Sequence, residues 1–360
     1  MKLIFKKRNI ILFVIIITLS ITIVGCQSSE KDKTNINSGN NITKEKSSEF
    51  LMDTKVDMQV YGEKAQEVIN NSFVRMREIE NEMSKNIKKS EISKINNNAA
   101  NQWVRVSKDT FKVIEKALEY ARLTNGRFDP TIGPLVELWG IGTSEARIPS
   151  AGEIEKTKKL VNYKNLKLNK EDNSIKFEKE NMKIDLGGIA KGYAADEVRN
   201  IVKNAGIGSA YVNLGGNVLV IGGKEDGTPW KIGIQDPREA RGSVMASLEI
   251  RDKTVVTSGN YERYFRKDGV LYHHILNPET GKPSRNELLS VSIISKDSFE
   301  ADVLSTSAFI LGRKEAYDFI KHREGIEAIF VTKNNNVYLT PGLKGKVEIL
   351  DSDFKLTEGD

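Results

Sequence analysis

The 360-residue chain holds a single cysteine, Cys26, so no intramolecular disulfide can form and stability has to come from a packed core. Histidine is nearly as scarce. Of the three present, two are adjacent at His273 and His274, which leaves no histidine cluster with zinc-ligand spacing. There is no nucleophile elbow, no Walker loop and no G-x-G-x-x-G fingerprint, so the commonest motifs for acyl transfer and nucleotide binding are missing. No repeat period or heptad run organises the chain. Basic blocks interleaved with aromatics are absent too: the net charge of +6 is dispersed through mixed Lys/Glu stretches. That argues against a nucleic-acid partner and leaves attraction to an anionic membrane surface or an anionic cofactor.

Only one long apolar run exists, and it lies at the start. Lys2, Lys6, Lys7 and Arg8 precede an apolar stretch from Ile10 to Val24, ending in Gly25-Cys26. A charged start followed by an apolar run rather short for a stable span reads as a signal peptide over residues 1–25. Cys26, after a small residue, sits where a lipoprotein signal is cleaved and lipidated; a cysteine without function is the plainer alternative. The mature chain is then expected to begin at Cys26, lipid-anchored to the cell membrane on its extracytoplasmic face. Residues 26–49 are almost wholly polar and read as a disordered tether. A folded domain is expected over 50–345, with a C-terminal tail over 346–360.

Within that domain, period and punctuation give the elements. A strand is expected over 51–61 and a long amphipathic helix over 63–84, with a second helix over 107–125 starting at Ser107 as N-cap and stopping at Gly126. Strand signals follow at 175–178, 182–186, 210–213, 217–221, 230–234, 245–250, 254–257, 270–275 and 288–294. Helices are expected at 151–161, 190–204, 298–311 and 313–322, and a hairpin at 326–331 and 336–340 turning on Asn334, Asn335 and Asn336. The mixture predicts an α+β fold with largely antiparallel sheets, either one large domain or two intimately packed halves.

Four segments carry possible chemistry. In KIDLGGIAKGYAA (183–195) an alternating run meets Gly187-Gly188 and then a helix, so backbone N–H groups, Lys191 and Tyr193 could meet phosphate oxygens. A packing turn explains the same glycines. In EADVLSTSAFILG (300–312) a capping box, Asp297 with Glu300, explains the helix start. Asp302 and Thr306 share one helix face with Ser305 beside them, and a carboxylate in a helix otherwise fit for burial needs a partner or a metal. Magnesium, which takes few protein oxygens, suits such a set; a hydrogen-bonded polar pair is the alternative. YHHILNPETGKP (272–283) offers His273 or His274 as a proton mover, and strand alternation lets only one of them line a site. Around Asp129, the loop RFDPTIGPLVELWGIG (127–142), with Phe128 and Trp139, could cradle a planar ring while Asp129 hydrogen-bonds its edge; a purely structural loop is the alternative.

Taken in order, SEISKIN, FDPTIGPLVELWGIG, KIDLGGIAKGYAAD, VNLGGN, TSGNYERYF, HHILNPETGKP and EADVLSTSAFILG resemble the ApbE-type FAD:protein FMN transferases, bacterial enzymes often made as lipoproteins. The resemblance runs from about Met52 to the C-terminal strands and implies an ApbE-like, T-fold-like architecture. It also implies magnesium held by the main-chain oxygen of Ala190 and by Asp302 and Thr306, with Ser305 beside them. FAD, the substrate, would touch Met52, Asn86, Arg127, Phe128, Asp129, Gly187, Lys191, Tyr193, His274 and Ile275. Members join FMN through its phosphate to a Thr or Ser hydroxyl of an acceptor flavoprotein of electron-transfer type, releasing AMP. His274 or the metal-bound carboxylate of Asp302 would take the hydroxyl proton. An FAD pyrophosphatase yielding FMN and AMP, and a non-catalytic solute-binding lipoprotein, stand as alternatives.

One departure has a consequence for binding. Many members carry an aromatic residue against the adenine where this chain has Asn86, and loss of a stacking ring costs about 1 kcal/mol of grip. The purified protein is therefore expected to lose FAD on extensive dialysis, with water competing against the acceptor hydroxyl. Full flavin occupancy by absorbance after dialysis would contradict this.

Overall fold

The computed structural model describes residues 43–358; the expected signal peptide, Cys26 and residues 26–42 of the expected tether lie outside the described residues. The first elements are β1 (Lys44–Leu51), β2 (Thr54–Tyr61), α1 (Ala65–Met83), α2 (Glu91–Asn98), β3 (Val104–Arg105) and α3 (Lys108–Leu123). Next come α4 (Gly133–Trp139), α5 (Ala151–Lys158), β4 (Leu166–Asn169), β5 (Ser174–Phe177), α6 (Ala190–Asn204), β6 (Ser209–Leu214), β7 (Asn217–Ile221) and β8 (Trp230–Gln235). They continue with β9 (Val244–Ile250), β10 (Thr254–Gly259), β11 (Tyr264–Lys267), β12 (Val270–His273), β13 (Leu276–Asn277), β14 (Lys282–Pro283) and β15 (Leu288–Ser295). The chain closes with α7 (Ser298–Leu311), α8 (Arg313–Ile320), β16 (Glu327–Thr332), β17 (Asn336–Leu339), β18 (Val347–Ile349) and β19 (Lys355–Thr357).

A nine-stranded sheet in the order β1-β2-β6-β7-β10-β15-β16-β17-β19 organises the molecule, antiparallel throughout except for β17 with β19. The expected halves therefore share one continuous sheet. Its strands alternate side chains between two cores. On β15, Val291 and Ile293 join the large core under the helices, whereas Ile294 joins a second core. On β16, Ala328 and Phe330 face the first core and Ile329 and Val331 the second. Helices α1, α6 and α7 complete the first layer, and the small sheet β18-β9-β8, with Trp230 and Met245, covers the opposite face. Among the described residues no helix is long and apolar enough to cross a membrane.

Several expectations need correction. The tether stops short of residue 49, because residues 44–49 belong to β1, an edge strand too polar to be seen by hydrophobic alternation and held instead by backbone pairing with β2. Met52 and Asp53 turn that hairpin at φ of 53° and 59°, a two-residue primed turn made without glycine. Residues 346–358 are not a bare tail: β18 pairs with β9 and β19 with β17. Residues 182–186 are extended but form no strand. Their backbone is held by the Asn96 side chain, which both donates to and accepts from Ile184, and by Pro130, whose carbonyl accepts the Asp185 N–H. The capping box at α7 is only half made. Asp297 accepts the Glu300 N–H at 2.7 Å, but the Glu300 carboxylate turns to the Tyr120 hydroxyl, and Asp196 of α6 takes the Ser298 and Phe299 N–H groups.

Helices α6 and α7 pack closely where Gly192 faces the start of α7. A methyl group on Gly192 would lie 2.3 Å from the Ser298 carbonyl oxygen and 2.6 Å from Asp302 Cβ, so only glycine permits this spacing. Gly192→Ala must push the helices apart and is expected to lower unfolding free energy by about 1–3 kcal/mol. Urea denaturation of the two proteins checks it; equal midpoints would contradict the packing described.

Candidate active site

Asp302 lies in a helix that is buried nearly all round, and the residue is only 4% exposed. Its Oδ2 accepts the Gly192 N–H from the first turn of α6 at 2.8 Å, so the negative charge sits at a helix N-terminus. Among the described residues that N–H is the only hydrogen-bond donor to this carboxylate. A buried carboxylate normally requires several donors or a counter-ion, so the remaining lone pairs fit a cation. Half-buried Thr306 lies one turn on, with its Oγ1 close to Ser258 Oγ of β10 at 3.4 Å. Ser258 also meets Ser305 at 2.8 Å. Ser305 is fully buried and donates to the Asp302 carbonyl oxygen at 2.9 Å, so it supports the turn and does not open toward a ligand. Ala190, the first residue of α6, lies two positions before Gly192. Among the described residues no group of three His, Cys, Asp or Glu side chains gathers for a metal, and the donor set here is one carboxylate, one hydroxyl and main-chain oxygen.

The glycine turn faces this helix. A methyl on Gly188 would stand 3.2 Å from Thr306 Oγ1 and 3.3 Å from the Phe128 ring, so turn, α7 and the 127–131 loop converge at that point. Just before it, Asp185 accepts the Gly187 N–H at 2.8 Å and pairs with Lys85 at 2.9 Å. Burial pushes the Asp185 carboxyl up, but the Lys85 ammonium, the Gly187 N–H and the Arg263 guanidinium more than offset this, and it stays below its ordinary range. Lys191 bends back to the Gly187 carbonyl at 3.3 Å. On the adjoining side the Met52 N–H donates to Glu80 at 2.9 Å, and the Asn86 amide reaches Asp53 at 3.3 Å.

The third wall is the histidine segment. Alternation separates the two rings as expected. His273 is buried against Phe309, its Nε2 2.8 Å from the Ser284 carbonyl, and so belongs to the turn below it. His274 is half-buried; its backbone N–H and its Nδ1 both lie against the Arg263 carbonyl, at 3.0 and 3.3 Å. Burial, reinforced by Arg263, pushes His274 down to about 3. Ile275 is buried and its carbonyl accepts the Ser284 N–H, while Arg127 pairs with Glu279 of the following turn at 2.8 Å.

Two residues expected at the flavin make their side-chain hydrogen bonds within the protein. Both oxygens of Asp129 are taken inside its own loop, by the Thr131 N–H and hydroxyl and by the Tyr163 N–H, and burial raises its pKa. These bonds shape the loop. Tyr193 is buried edge-on to Phe299, and its hydroxyl donates to Asp109 at 2.8 Å within the Arg75–Asp109–Glu197 network. It ties α6 to α1 and α3. Trp139, likewise, donates to the Gly281 carbonyl at 2.8 Å and stacks on Tyr272. Reasoning from sequence missed Lys85, Asp185, Ser258 and Arg263. Asp185, Ser258 and Arg263 lie inside motifs already singled out, and the polar residues among the apolar positions of those motifs were the available signal.

An α+β protein in which a glycine turn, a buried carboxylate, a hydroxyl and several cationic side chains meet at one place is thus defined by fold and site. The chain belongs to the ApbE family, whose profile matches residues 52–330. It is 35% identical over 311 residues, 86% of this chain and 96% of the relative, to an FAD:protein FMN transferase of Klebsiella pneumoniae strain 342. It is 31% identical over 325 residues, 86% of this chain and 90% of the relative, to the FAD:protein FMN transferase of Treponema pallidum strain Nichols. Among solved structures, the ApbE protein of Thermotoga maritima superposes with a TM-score of 0.79 at 36% identity, covering 84% of this chain and 99% of that one. The flavin transferase ApbE from Vibrio cholerae gives 0.76 at 28% identity, covering 85% and 99%.

The two histidines make folding pH-dependent. Burial lowers His273 from 6.5 to about 4, so in acid the unfolded chain takes up its proton first. The stabilisation is complete above the unfolded value and is lost as pH falls toward the folded one. Unfolding free energy is expected to decline from about pH 6.5 to pH 4, and His273→Gln to flatten that decline. Denaturant titrations at several pH values read it directly; identical slopes in both proteins would contradict it.

Proposed function

We propose that this chain transfers FMN from FAD to a Thr or Ser hydroxyl of an acceptor flavoprotein, forming a phosphoester and releasing AMP. The observation that carries this reading is the buried Asp302 carboxylate, met by a single backbone N–H and set beside Thr306 and the glycine turn. Asp302, Thr306 and the Ala190 carbonyl would hold magnesium. When bound, that ion would neutralise charge building on the diphosphate oxygens as the bond to AMP breaks.

The protein's own residues do the rest. Lys191, Lys85 and Arg263 place positive charge around the glycine turn, where a dinucleotide's phosphates would be drawn and oriented. Gly188 keeps the turn close enough to Thr306 for one ligand to touch both. The proton of the attacking hydroxyl would go to His274 or to the Asp302 carboxylate; the burial that pushes His274 down to about 3 leaves its ring unprotonated at physiological pH but also makes it a weak base. Phe128 and the Met52 turn would flank the flavin side, and Arg127 and Ile275 the opposite rim.

Asn86 supports a second reaction at the same site. Its amide, turned to Asp53, offers no ring for an adenine, and a loosely held dinucleotide admits water as acceptor, giving FMN and AMP. For location, the N-terminal sequence supports a lipid anchor at Cys26 on the extracytoplasmic face of the cell membrane, and the acceptor would then be an electron-transfer flavoprotein of that compartment.

Incubation with FAD, magnesium and a Thr-bearing acceptor domain is expected to raise the acceptor's mass by one FMN, and chelator to prevent it. Asp302→Ala should lower the rate by about 100-fold or more. Free FMN with an unmodified acceptor would instead support hydrolysis, and full activity of Asp302→Ala would overturn the site assignment.

A further inference from the structure

We propose that Ser258 is a positioning residue that turns the hydroxyl proton of Thr306 away from the cation site, so that Thr306 presents a lone pair to the metal. The proposal rests on the magnesium reading above and extends it to a side chain outside the donor set. Its basis is the direction of a hydrogen-bond chain. Each serine or threonine hydroxyl has one proton to give and two lone pairs to accept with. Ser305 gives its proton to the Asp302 carbonyl oxygen at 2.9 Å. Ser258, 2.8 Å from the same Ser305 oxygen, must therefore be the donor in that contact. With its proton spent, Ser258 can only accept from Thr306 Oγ1, 3.4 Å away. The chain thus runs Thr306 to Ser258 to Ser305 to a backbone carbonyl, its direction set by the one partner that can only accept.

Thr306 has no better outlet inside its own helix. A helical threonine commonly gives its proton to the carbonyl four residues back, which here is that of Asp302. That oxygen already accepts from the Ser305 hydroxyl and, as the i−4 carbonyl of the helix, from the Thr306 N–H, so both its lone pairs are in use. On the other side stands Gly188, where a methyl group would come within 3.2 Å of Thr306 Oγ1, and a glycine carries no side-chain acceptor. Ser258 reaches the spot because strand β10 sends alternate side chains to opposite faces: Thr257 bonds laterally to Ser292 of β15 at 2.7 Å, and Ser258 faces α7. A metal-binding hydroxyl whose proton has a fixed acceptor binds without first reorienting, the role that partners behind metal ligands commonly play.

The test uses the purified protein and Mn2+ as probe, read by electron paramagnetic resonance, alone and with ADP as a diphosphate. Ser258→Ala is expected to weaken Mn2+ binding about tenfold, and Ser258→Thr, which keeps the hydroxyl, to stay within about twofold of the parent. In a Thr306→Val background the Ser258→Ala change should add no further loss, because the proton it serves is gone. Unchanged Mn2+ affinity in Ser258→Ala overturns the proposal, as does an equal loss in the Thr306→Val background. Should Ser258→Ala not fold, Ser258→Cys, which keeps the size and bonds weakly, must show a similar loss or the idea fails. Asp302→Ala separates the two levels. If it abolishes binding while Ser258→Ala does not weaken it, only the positioning role is lost; if it binds Mn2+ as the parent does, the metal reading falls and this inference with it.

Discussion

A carboxylate placed on the first turn of a helix decides the rest of this site. Asp302 and Gly192 are 110 residues apart in sequence and 2.8 Å apart in space, and their contact joins α7 to α6 where neither could shift without losing a buried hydrogen bond. The helix N-terminus favours negative charge, and the missing side chain of Gly192 lets the two backbones close. Once that contact exists, Thr306 stands over Gly188, and the glycine turn is presented edge-on to whatever occupies the space between them. Asp196 secures the same junction from the other side by accepting the first N–H groups of α7.

Around this junction the polar residues divide by where their hydrogen bonds go. Asp129, Tyr193, Trp139, His273 and Ser305 spend theirs on backbone or on buried partners, which fixes loops and helices at the cost of any free valence for a ligand. Lys85, Lys191, Arg263, His274 and Thr306 keep some exposure or an unfilled bond, and they share one rim. A site assembled this way keeps a small donor set rigid without many ligands. Such an arrangement suits an ion that brings its own water and shares a substrate's phosphates.

Much of this was legible in the sequence, and the limits have physical reasons. Helices α3, α6 and α7 were placed closely because N-caps such as Ser107 and apolar spacing act locally. Asp302 and Thr306 could be singled out because helical period alone puts them on one face. β1 escaped notice because an edge strand needs only backbone pairing, and KEKSSEFL shows no buried face of its own. Residues 182–186 alternate like a strand, yet Asn96 supplies the hydrogen bonds a neighbouring strand would have given. The internal hydrogen bonds of Tyr193 and Asp129 are not legible in the sequence, because motif membership does not say which way a side chain points. The partners that turned them inward, Asp109 and Tyr163, lie 84 and 34 residues away. Lys85 was missed for the same cause: its meaning comes from Asp185, a hundred positions on.

On the proposed function, a divalent cation would be held by Asp302 and Thr306 beside the glycine turn, where a dinucleotide's diphosphate would lie. Anomalous diffraction from crystals grown with Mn2+ and ADP tests it most directly. One strong peak is expected about 2.1 Å from an Asp302 oxygen and Thr306 Oγ1, in contact with the diphosphate. A diphosphate bound with no peak there, or a peak held by other residues, would contradict it.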